Sequence, residues 1–122
     1  MKHLILLSIV MFCLQSCVIN QDKAEAENAA TSANSKYIKD ILLKEGYEPG
    51  TVKVLKDSDC TFVILNENTN VYLDPINFNI SDFEDFRTNG LNVYFKYKPL
   101  RMMNRCTEAS PIELISIVKK VD

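Results

Sequence analysis

The clearest structural signal in the sequence is an alternation of side-chain types from Leu91 to Lys98. The odd positions up to Tyr97 are apolar or aromatic, and the even positions from Asn92 are mostly polar. Because successive side chains of a strand point to opposite faces, this period of two predicts a half-buried strand with one face in water. Tyr94, on the polar side, is then predicted to be an exposed aromatic group.

Short runs of β-branched and aromatic residues, separated by turn residues, predict four more strands. They are Thr51–Leu55, Cys60–Leu65, Val71–Leu73 and Pro111–Val121. The mixed pattern of the last run indicates a bulge or burial on both faces.

Three breaks lie before, between or at the end of these predicted strands. Tyr47–Gly50 and Asn66–Asn70 are predicted to be turns or loops, since Pro, Gly and Asn favour turn conformations. The third strand is predicted to stop at Asp74-Pro75, because proline cannot donate a hydrogen bond to a strand ladder.

Two short helices are also predicted. Lys36–Glu45 has apolar residues at helical spacing and is followed by Gly46, as in a helix that ends at a glycine C-cap. The stretch from Ser81 to Glu84 has the pattern of a capping box, in which the serine caps the helix and the glutamate reaches back. Phe83 and Phe86 would then share the buried face of this second helix.

Five short strands with a helix between the third and the fourth match the OB-fold, a small, partly open Greek-key barrel. We therefore expect a mainly β, five-stranded OB-like domain over residues 36–122. An SH3-like barrel, or an antiparallel sheet with one covering helix, is the alternative.

The N-terminal segment has the features of an export signal. After Lys2, the run Leu4–Leu14 is almost entirely apolar. At about 1.5 Å per residue it reaches roughly 16 Å, about half of a hydrocarbon core of about 30 Å, so its length suits a signal peptide better than a spanning helix. Leu14-Gln15-Ser16-Cys17 resembles the bacterial lipobox, which implies a lipoprotein signal peptide over residues 1–16 and a lipidated Cys17. The alternatives are an ordinary signal peptide or a buried apolar helix with an incidental cysteine.

The segment Val18–Ser35 is rich in Ala, Asn, Ser and charged residues and contains no aromatic residue. Such a composition buries too little apolar surface to offset the entropy of ordering. Residues 17–35 are therefore predicted to form the lipidated cysteine and a flexible tether.

Export also bears on the remaining cysteines. Cys60 and Cys106 would lie outside the reducing cytosol, either joined by a disulfide or as two free buried thiols. A disulfide closing a loop of this length would stabilise the fold by about 4 kcal/mol in the chain-entropy treatment.

Residue types limit the chemistry that is available. The single histidine, His3, lies in the leader, so the mature chain would lack a histidine base, a Ser-His-Asp or Cys-His system and any histidine metal ligand. We expect a protein that is not an enzyme and holds no cofactor or metal. A small hydrolase that uses carboxylates is a weaker hypothesis.

Basic residues concentrate near the end of a chain whose net charge is −2. We predict a contact surface that consists of Tyr94, Lys96, Lys98, Arg101, Met102 and Arg105. An exported acidic protein is not expected to bind nucleic acid, so an envelope protein or an anionic glycan is the expected partner. A solvated face without a partner is the alternative.

Several short motifs of the domain occur together in one known group of proteins. They are Gly50-Thr51-Val52, Asp59-Cys60, Leu73–Asn77, Gly90–Tyr97, and Cys106 before a closing apolar strand. In these features the chain resembles a group of small, mostly uncharacterised Bacteroidota lipoproteins with an OB-like barrel. It departs from them at Thr61-Phe62, where the group tends to carry Gly and an aromatic residue, and by lacking a glycine soon after Cys106. The resemblance implies the barrel and a Cys60–Cys106 disulfide, and it transfers no catalytic residue.

Taken together, these patterns predict a binding or structural module of the cell envelope. It would be held by lipid on a bacterial membrane, with the outer membrane favoured, and would face the periplasm or the exterior. The alternative is an inhibitor of an exported hydrolase, a lysozyme or a protease, with the loop that carries Cys106 inserted into the enzyme's cleft.

Overall fold

The structure is a computed structural model that describes the backbone of residues 22–121 and the side chains of residues 32–121. The predicted signal peptide and Cys17 lie outside the described residues. The chain divides into two compact units, Met1–Tyr37 and Ile38–Asp122, and all the strands belong to the second. None of the helices in the described part is both long and apolar enough to cross a membrane.

Helix α1 spans Asp22–Lys44. Gly46, with a φ of 87°, follows it, and its N–H donates to the carbonyl of Leu43 at 3.2 Å, so the predicted glycine stop is confirmed. The helix begins well before Lys36, and residues 22–35, which were predicted to belong to the tether, are helical. Ala, Glu and Lys are good helix formers, and extending an existing helix costs less than nucleating a new one.

Five strands and a 3₁₀ helix follow α1. Their bounds are β1 Glu48–Val54, β2 Phe62–Asn66, β3 Val71–Pro75, the 3₁₀ helix Ser81–Phe86, β4 Asn92–Pro99 and β5 Ser110–Lys119. The strand order is β1-β2-β3-β5-β4, and β4 pairs with β1 to close the barrel. All pairs are antiparallel except β3 with β5. The predicted OB-like barrel is confirmed, and its closure rules out the open antiparallel sheet.

The predicted turn before β1 is wrong in part, because Pro49 and Gly50 lie inside the strand. Gly50 pairs with Asn66 on one side and with Val93 on the other. A Cβ at Gly50 would lie 2.7 Å from the ring of Phe95 and 2.9 Å from the carbonyl oxygen of Leu65. The glycine is therefore required by the close approach of strands rather than by a turn.

The predicted end of β3 is also wrong. Asp74 and Pro75 remain in the strand, where they pair with Pro111 and Ile112 of β5. The N–H of Ile76 donates to the carbonyl of Ile112 at 3.0 Å. The ladder therefore continues past the proline.

The helix between β3 and β4 forms without the predicted capping box. Its N-cap is Ile80 rather than Ser81, and no side chain caps it. Phe83 and Phe86 nevertheless pack against the barrel core, as predicted. Aromatic packing thus holds this short helix in place of a capping side chain.

The barrel interior is filled by apolar side chains from every strand and by Phe78. Its buried members are Val52, Ile64, Leu73, Phe78, Val93, Phe95, Ile112, Leu114 and Ile117. A smaller cluster contains Cys60, Val63, Cys106 and Ala109.

The predicted irregularity of the last strand is a bulge. Lys96 pairs with Ser116 while Tyr97 pairs with Leu114, so Ile115 has no partner of its own on β4. Leu114 is only 2% exposed, whereas Ile115 is 55% exposed.

Candidate functional site

A disulfide joins two loops of the barrel. Cys60 lies in the loop between β1 and β2, Cys106 lies in the loop between β4 and β5, and their Cα atoms are 5.7 Å apart. We call residues 55–61 and 100–109 the bridged loops. The hydroxyl of Ser58 also donates to Oε2 of Glu108 at 3.2 Å, which ties the two loops together a second time. The implied disulfide is thus present in the structure.

The second bridged loop is attached to β3 through an ion pair. Arg105 Nε donates to Oδ2 of Asp74 at 2.8 Å, and Nη2 donates to Oδ1 at 2.5 Å. Asp74 is fully buried, whereas Arg105 is half exposed. The hydrogen bonds to the carboxylate raise the pKa of Arg105 above its usual value. This two-point contact sets the position of the guanidinium group.

A cavity of about 290 Å³ lies beside the bridged loops. One part of its wall is apolar and consists of Phe62, Pro75, Ile76 and Phe78. The rings of Phe62 and Phe78 meet edge to face with their centres 6.2 Å apart. Pro75 and Phe78 are buried, so this wall is continuous with the barrel core.

The rest of the cavity wall is polar. It consists of Asp59, Thr61, Asn79, Arg87 and Arg105. Nε of Arg87 is buried, and the described part of the chain offers it no hydrogen-bond partner. Nη2 of the same side chain is 3.7 Å from Oε1 of the mostly exposed Glu84, beyond hydrogen-bond distance. Nε itself is inaccessible to a ligand, whereas the Arg87 side chain as a whole lines the cavity and is 28% exposed.

A wider depression of about 570 Å³ lies next to the first cavity and shares Asp59 and Arg105 with it. Its wall comes from the bridged loops and includes Asp57 and Glu108. Within residues 22–121, no group of three or more His, Cys, Asp or Glu side chains is arranged to hold a metal ion.

The structure disperses the predicted contact surface. Tyr94 is only 9% exposed, and Nζ of Lys120 lies 5.3 Å from the centre of its ring, so the prediction that it is exposed is wrong. Lys96 donates to the carbonyl of Glu45 at 3.1 Å. Arg105 lines the cavity and is held by Asp74. The side chains of Tyr94, Lys96 and Arg105 therefore contact different parts of the protein.

The remaining members of the predicted surface are exposed. Lys98 and Arg101 are both exposed, and they flank the start of the second bridged loop. Met102 is 47% exposed and Met103 is 89% exposed. We call Lys98, Arg101 and Met102, together with the neighbouring Met103, which was not part of the predicted surface, the exposed loop surface.

Sequence reasoning did not identify the residues that build the cavity. Of these residues, only Arg105 was predicted to take part in a contact, and neither the Phe62–Phe78 wall nor Arg87 was singled out. Asp74 was interpreted as a strand end, although an acid that directly follows a buried apolar residue needs a partner if the strand continues. That need was the one signal in the sequence that could have pointed to Arg105.

Comparison of the chain with protein-family models, with curated proteins and with solved structures finds no significant match. Functional inference for this protein therefore rests on its own residues.

Proposed function

We propose that the protein is a lipid-anchored binding or structural module of the bacterial cell envelope and acts by binding rather than by catalysis. The observation that carries the proposal is the disulfide between Cys60 and Cys106. Disulfides persist in oxidising compartments and are rare in the cytosol. The apolar leader and the lipobox-like Leu14–Cys17 supply a route of export and a point of attachment. The outer membrane is the favoured site, with the barrel facing the periplasm or the exterior.

The exposed loop surface is the proposed place of contact. It combines the cations Lys98 and Arg101 with the exposed thioethers of Met102 and Met103. Flexible Met side chains suit an apolar contact, and the cations suit an anionic partner. An envelope protein or an anionic glycan has this chemistry.

Metabolic labelling tests the anchor. Cells that express the full chain are fed a fatty-acid probe, and the purified protein is assayed for label. We expect label on the wild-type chain and on Cys13→Ser, and none on Cys17→Ser, which should also leave the membrane fraction. An unlabelled wild-type chain, or a Cys17→Ser chain still tightly held by the membrane, overturns the proposed anchor.

Affinity capture from the native envelope tests the contact surface. The variant Lys98→Glu/Arg101→Glu reverses charge on the exposed loop surface, and Lys39→Glu/Lys44→Glu makes the same change at exposed positions of α1. We expect the first variant to lose the captured partner and the second to retain it. Equal capture by both variants contradicts this placement of the contact.

Inhibition of an exported hydrolase is the second candidate function. Its support is Met103, which is 89% exposed in a loop held by both the disulfide and the Asp74–Arg105 pair. A rigid, protruding loop can enter an enzyme cleft at low entropic cost. Adding the protein to lysozyme and protease assays tests this idea, with Met103→Asp as the variant expected to relieve inhibition. Full enzyme activity at saturating protein removes this candidate.

A further inference from the structure

We propose that the cavity beside the bridged loops binds a small monocarboxylic acid that carries an apolar group such as an aromatic ring. The site is distinct from the exposed loop surface, and the inference does not depend on lipidation or on the compartment. Its components are the two guanidinium groups of Arg87 and Arg105 and the aromatic wall formed by Phe62 and Phe78.

Arg87 supplies a guanidinium group that is only loosely held by its neighbours. Most buried polar atoms in proteins have a hydrogen-bond partner, yet the buried Nε of Arg87 has none within the described residues. Its contact with Glu84 is 3.7 Å long, and the Glu84 side chain is mostly exposed. Glu84 therefore competes only weakly with a ligand for Arg87. The planar fork of a guanidinium group matches the two oxygens of a carboxylate.

Arg105 supplies a second cation that is already in place. Its Nε and Nη2 are committed to Asp74 at 2.8 and 2.5 Å. A guanidinium group carries five N–H donors, so donors remain for a ligand. Because the buried carboxylate and the nearby disulfide hold this arginine, binding a ligand would order little that is not already ordered.

Charge balance disfavours a ligand with several negative charges. Asp59 lines the same cavity, and Asp74 neutralises Arg105 from the barrel side. The two arginines and these two carboxylates nearly cancel, and a ligand with several negative charges would be repelled by Asp59. A single carboxylate that engages Arg87 is compatible with this balance, whereas inorganic phosphate is disfavoured.

The apolar part of the cavity wall suits an apolar group at the end of the ligand opposite its carboxylate. Phe62 and Ile76 are half-buried and offer a surface on which a ring can pack, with the buried Phe78 behind them. The volume of about 290 Å³ is near the lower limit for small-molecule sites, which suits one ring and its carboxylate. A free aromatic acid and the C-terminal aromatic residue of a polypeptide both present this chemistry.

Ligand-observed ¹⁹F NMR tests the proposal on the full chain in detergent, with its disulfide intact. The probe is N-acetyl-4-fluorophenylalanine, and its primary amide is the matched probe without charge. We expect saturable binding of the acid, about tenfold or more weaker binding of the amide, and no competition by inorganic phosphate. Equal binding of acid and amide, displacement by phosphate, or no binding of the acid at about 10 mM overturns the proposal.

Variants localise the binding. Arg87→Gln is expected to weaken binding of the acid about tenfold or more, while Lys39→Gln, at an exposed cation of α1 outside the cavity, leaves it unchanged. Thr61→Trp fills the cavity from an exposed rim position and should abolish binding even if Arg87→Gln fails to fold. Wild-type binding by folded Thr61→Trp contradicts the assignment.

Two further ligands distinguish the sources of the carboxylate. A short peptide that ends in a free phenylalanine acid is compared with the same peptide as its amide. Tighter binding of the peptide acid than of the N-acetylated amino acid identifies a polypeptide C-terminus as the natural ligand. The reverse order identifies a free aromatic acid.

Discussion

At the scale of single residues, the most consequential contact is the pair between Asp74 and Arg105. A fully buried carboxylate is costly unless a cation and hydrogen bonds compensate it, and Arg105 provides both. The same arginine lines the cavity and belongs to the second bridged loop. One ion pair therefore stabilises the strand and positions the loop.

Removing the cation from this pair should destabilise the protein strongly. We expect Arg105→Gln to lower the free energy of unfolding by about 3 kcal/mol, because Asp74 is left buried without a counter-ion. The double variant Asp74→Asn/Arg105→Gln should be less destabilised than the sum of the single variants. Urea denaturation measures both, with Arg101→Gln as a surface control that changes stability by no more than about 0.5 kcal/mol. A loss for Arg105→Gln as small as that control contradicts the role of the pair.

A second polar cluster surrounds Tyr97. Asn66 is fully buried, its side-chain amide donates to Oε2 of Glu48, and its Oδ1 accepts from the N–H of Asn68 at 2.9 Å. Burial, followed by the negative charge of Glu48, raises the pKa of Tyr97, and a hydrogen bond with Asn66 lowers it to a lesser extent. The folded state therefore favours the neutral phenol.

This shift predicts a loss of stability at alkaline pH. Because the pKa of Tyr97 is higher in the folded protein than the value near 10 in the unfolded chain, its contribution is complete below about pH 10 and is lost as the pH rises through the folded-state pKa. We expect the melting temperature of Tyr97→Phe to fall less steeply than that of the wild type above about pH 10. Tyr37→Phe, at an exposed tyrosine, should follow the wild-type curve. Parallel curves for wild type and Tyr97→Phe contradict this assignment.

At the scale of elements, β5 shows how a bulge changes which side chains of a strand are buried. Strict alternation would place Leu114 and Ile115 on opposite faces, and would put Leu114 on the face opposite Ile117. The extra residue at Ile115 shifts the register, so Leu114 and Ile117 are both buried in the barrel core. The bulge thus allows a strand whose apolar residues do not alternate strictly to bury them in a single core.

Alanine substitution at the two neighbouring positions tests the bulge. We expect Leu114→Ala to lower the free energy of unfolding by about 3 kcal/mol, because it leaves a cavity in the core. Ile115→Ala should cost about 1 kcal/mol or less, since the side chain is already largely in water. Urea denaturation of the two variants measures the difference. A larger loss for Ile115→Ala than for Leu114→Ala is incompatible with the bulge at this position.

At the scale of the whole molecule, the disulfide joins parts of the chain that are 46 residues apart. Because the bridged loops belong to strands at opposite ends of the domain's sequence, the bond restricts the unfolded chain over much of its length. In a domain this small, the interior alone supplies limited stability. The disulfide is therefore expected to contribute a large share of the total free energy of unfolding.

Removing both cysteines tests this contribution. We expect Cys60→Ala/Cys106→Ala to lower the free energy of unfolding by up to about 4 kcal/mol, measured by urea denaturation. Reducing the wild-type protein with dithiothreitol should move its midpoint in the same direction, and the double variant should not respond to the reductant. An unchanged wild-type midpoint after reduction contradicts the expectation.

The order of the elements and the barrel class were predictable from local patterns. Alternation from Leu91 to Lys98 marks β4, and Gly46 marks the end of α1, because both signals act within a few residues. The positions of Gly50, Pro75 and Ser81 were misinterpreted for the same reason. Local rules treat Pro and Gly as breaks and Ser-x-x-Glu as a cap, whereas strand pairing and aromatic packing decided these three positions.

The candidate site was much less predictable than the fold. Arg105 was identified as basic, but its partner Asp74 is 31 residues away and belongs to another strand. Tyr94 was expected in water because its strand neighbours are polar, yet Lys120 from beyond β5 lies over its ring. Both contacts are formed by residues far apart in the sequence, and no local pattern contains that information.

The sequence by itself determined the order and the approximate positions of the strands and helices, because backbone preference and side-chain period are properties of neighbouring residues. Only the tertiary structure decided which strands are neighbours, how the register shifts at Ile115, and that Phe62, Phe78, Arg87 and Arg105 share one cavity. The physical reason is that closing a barrel brings together loops and strand ends from distant parts of the chain. Charges and rings that are unrelated in sequence then become one site.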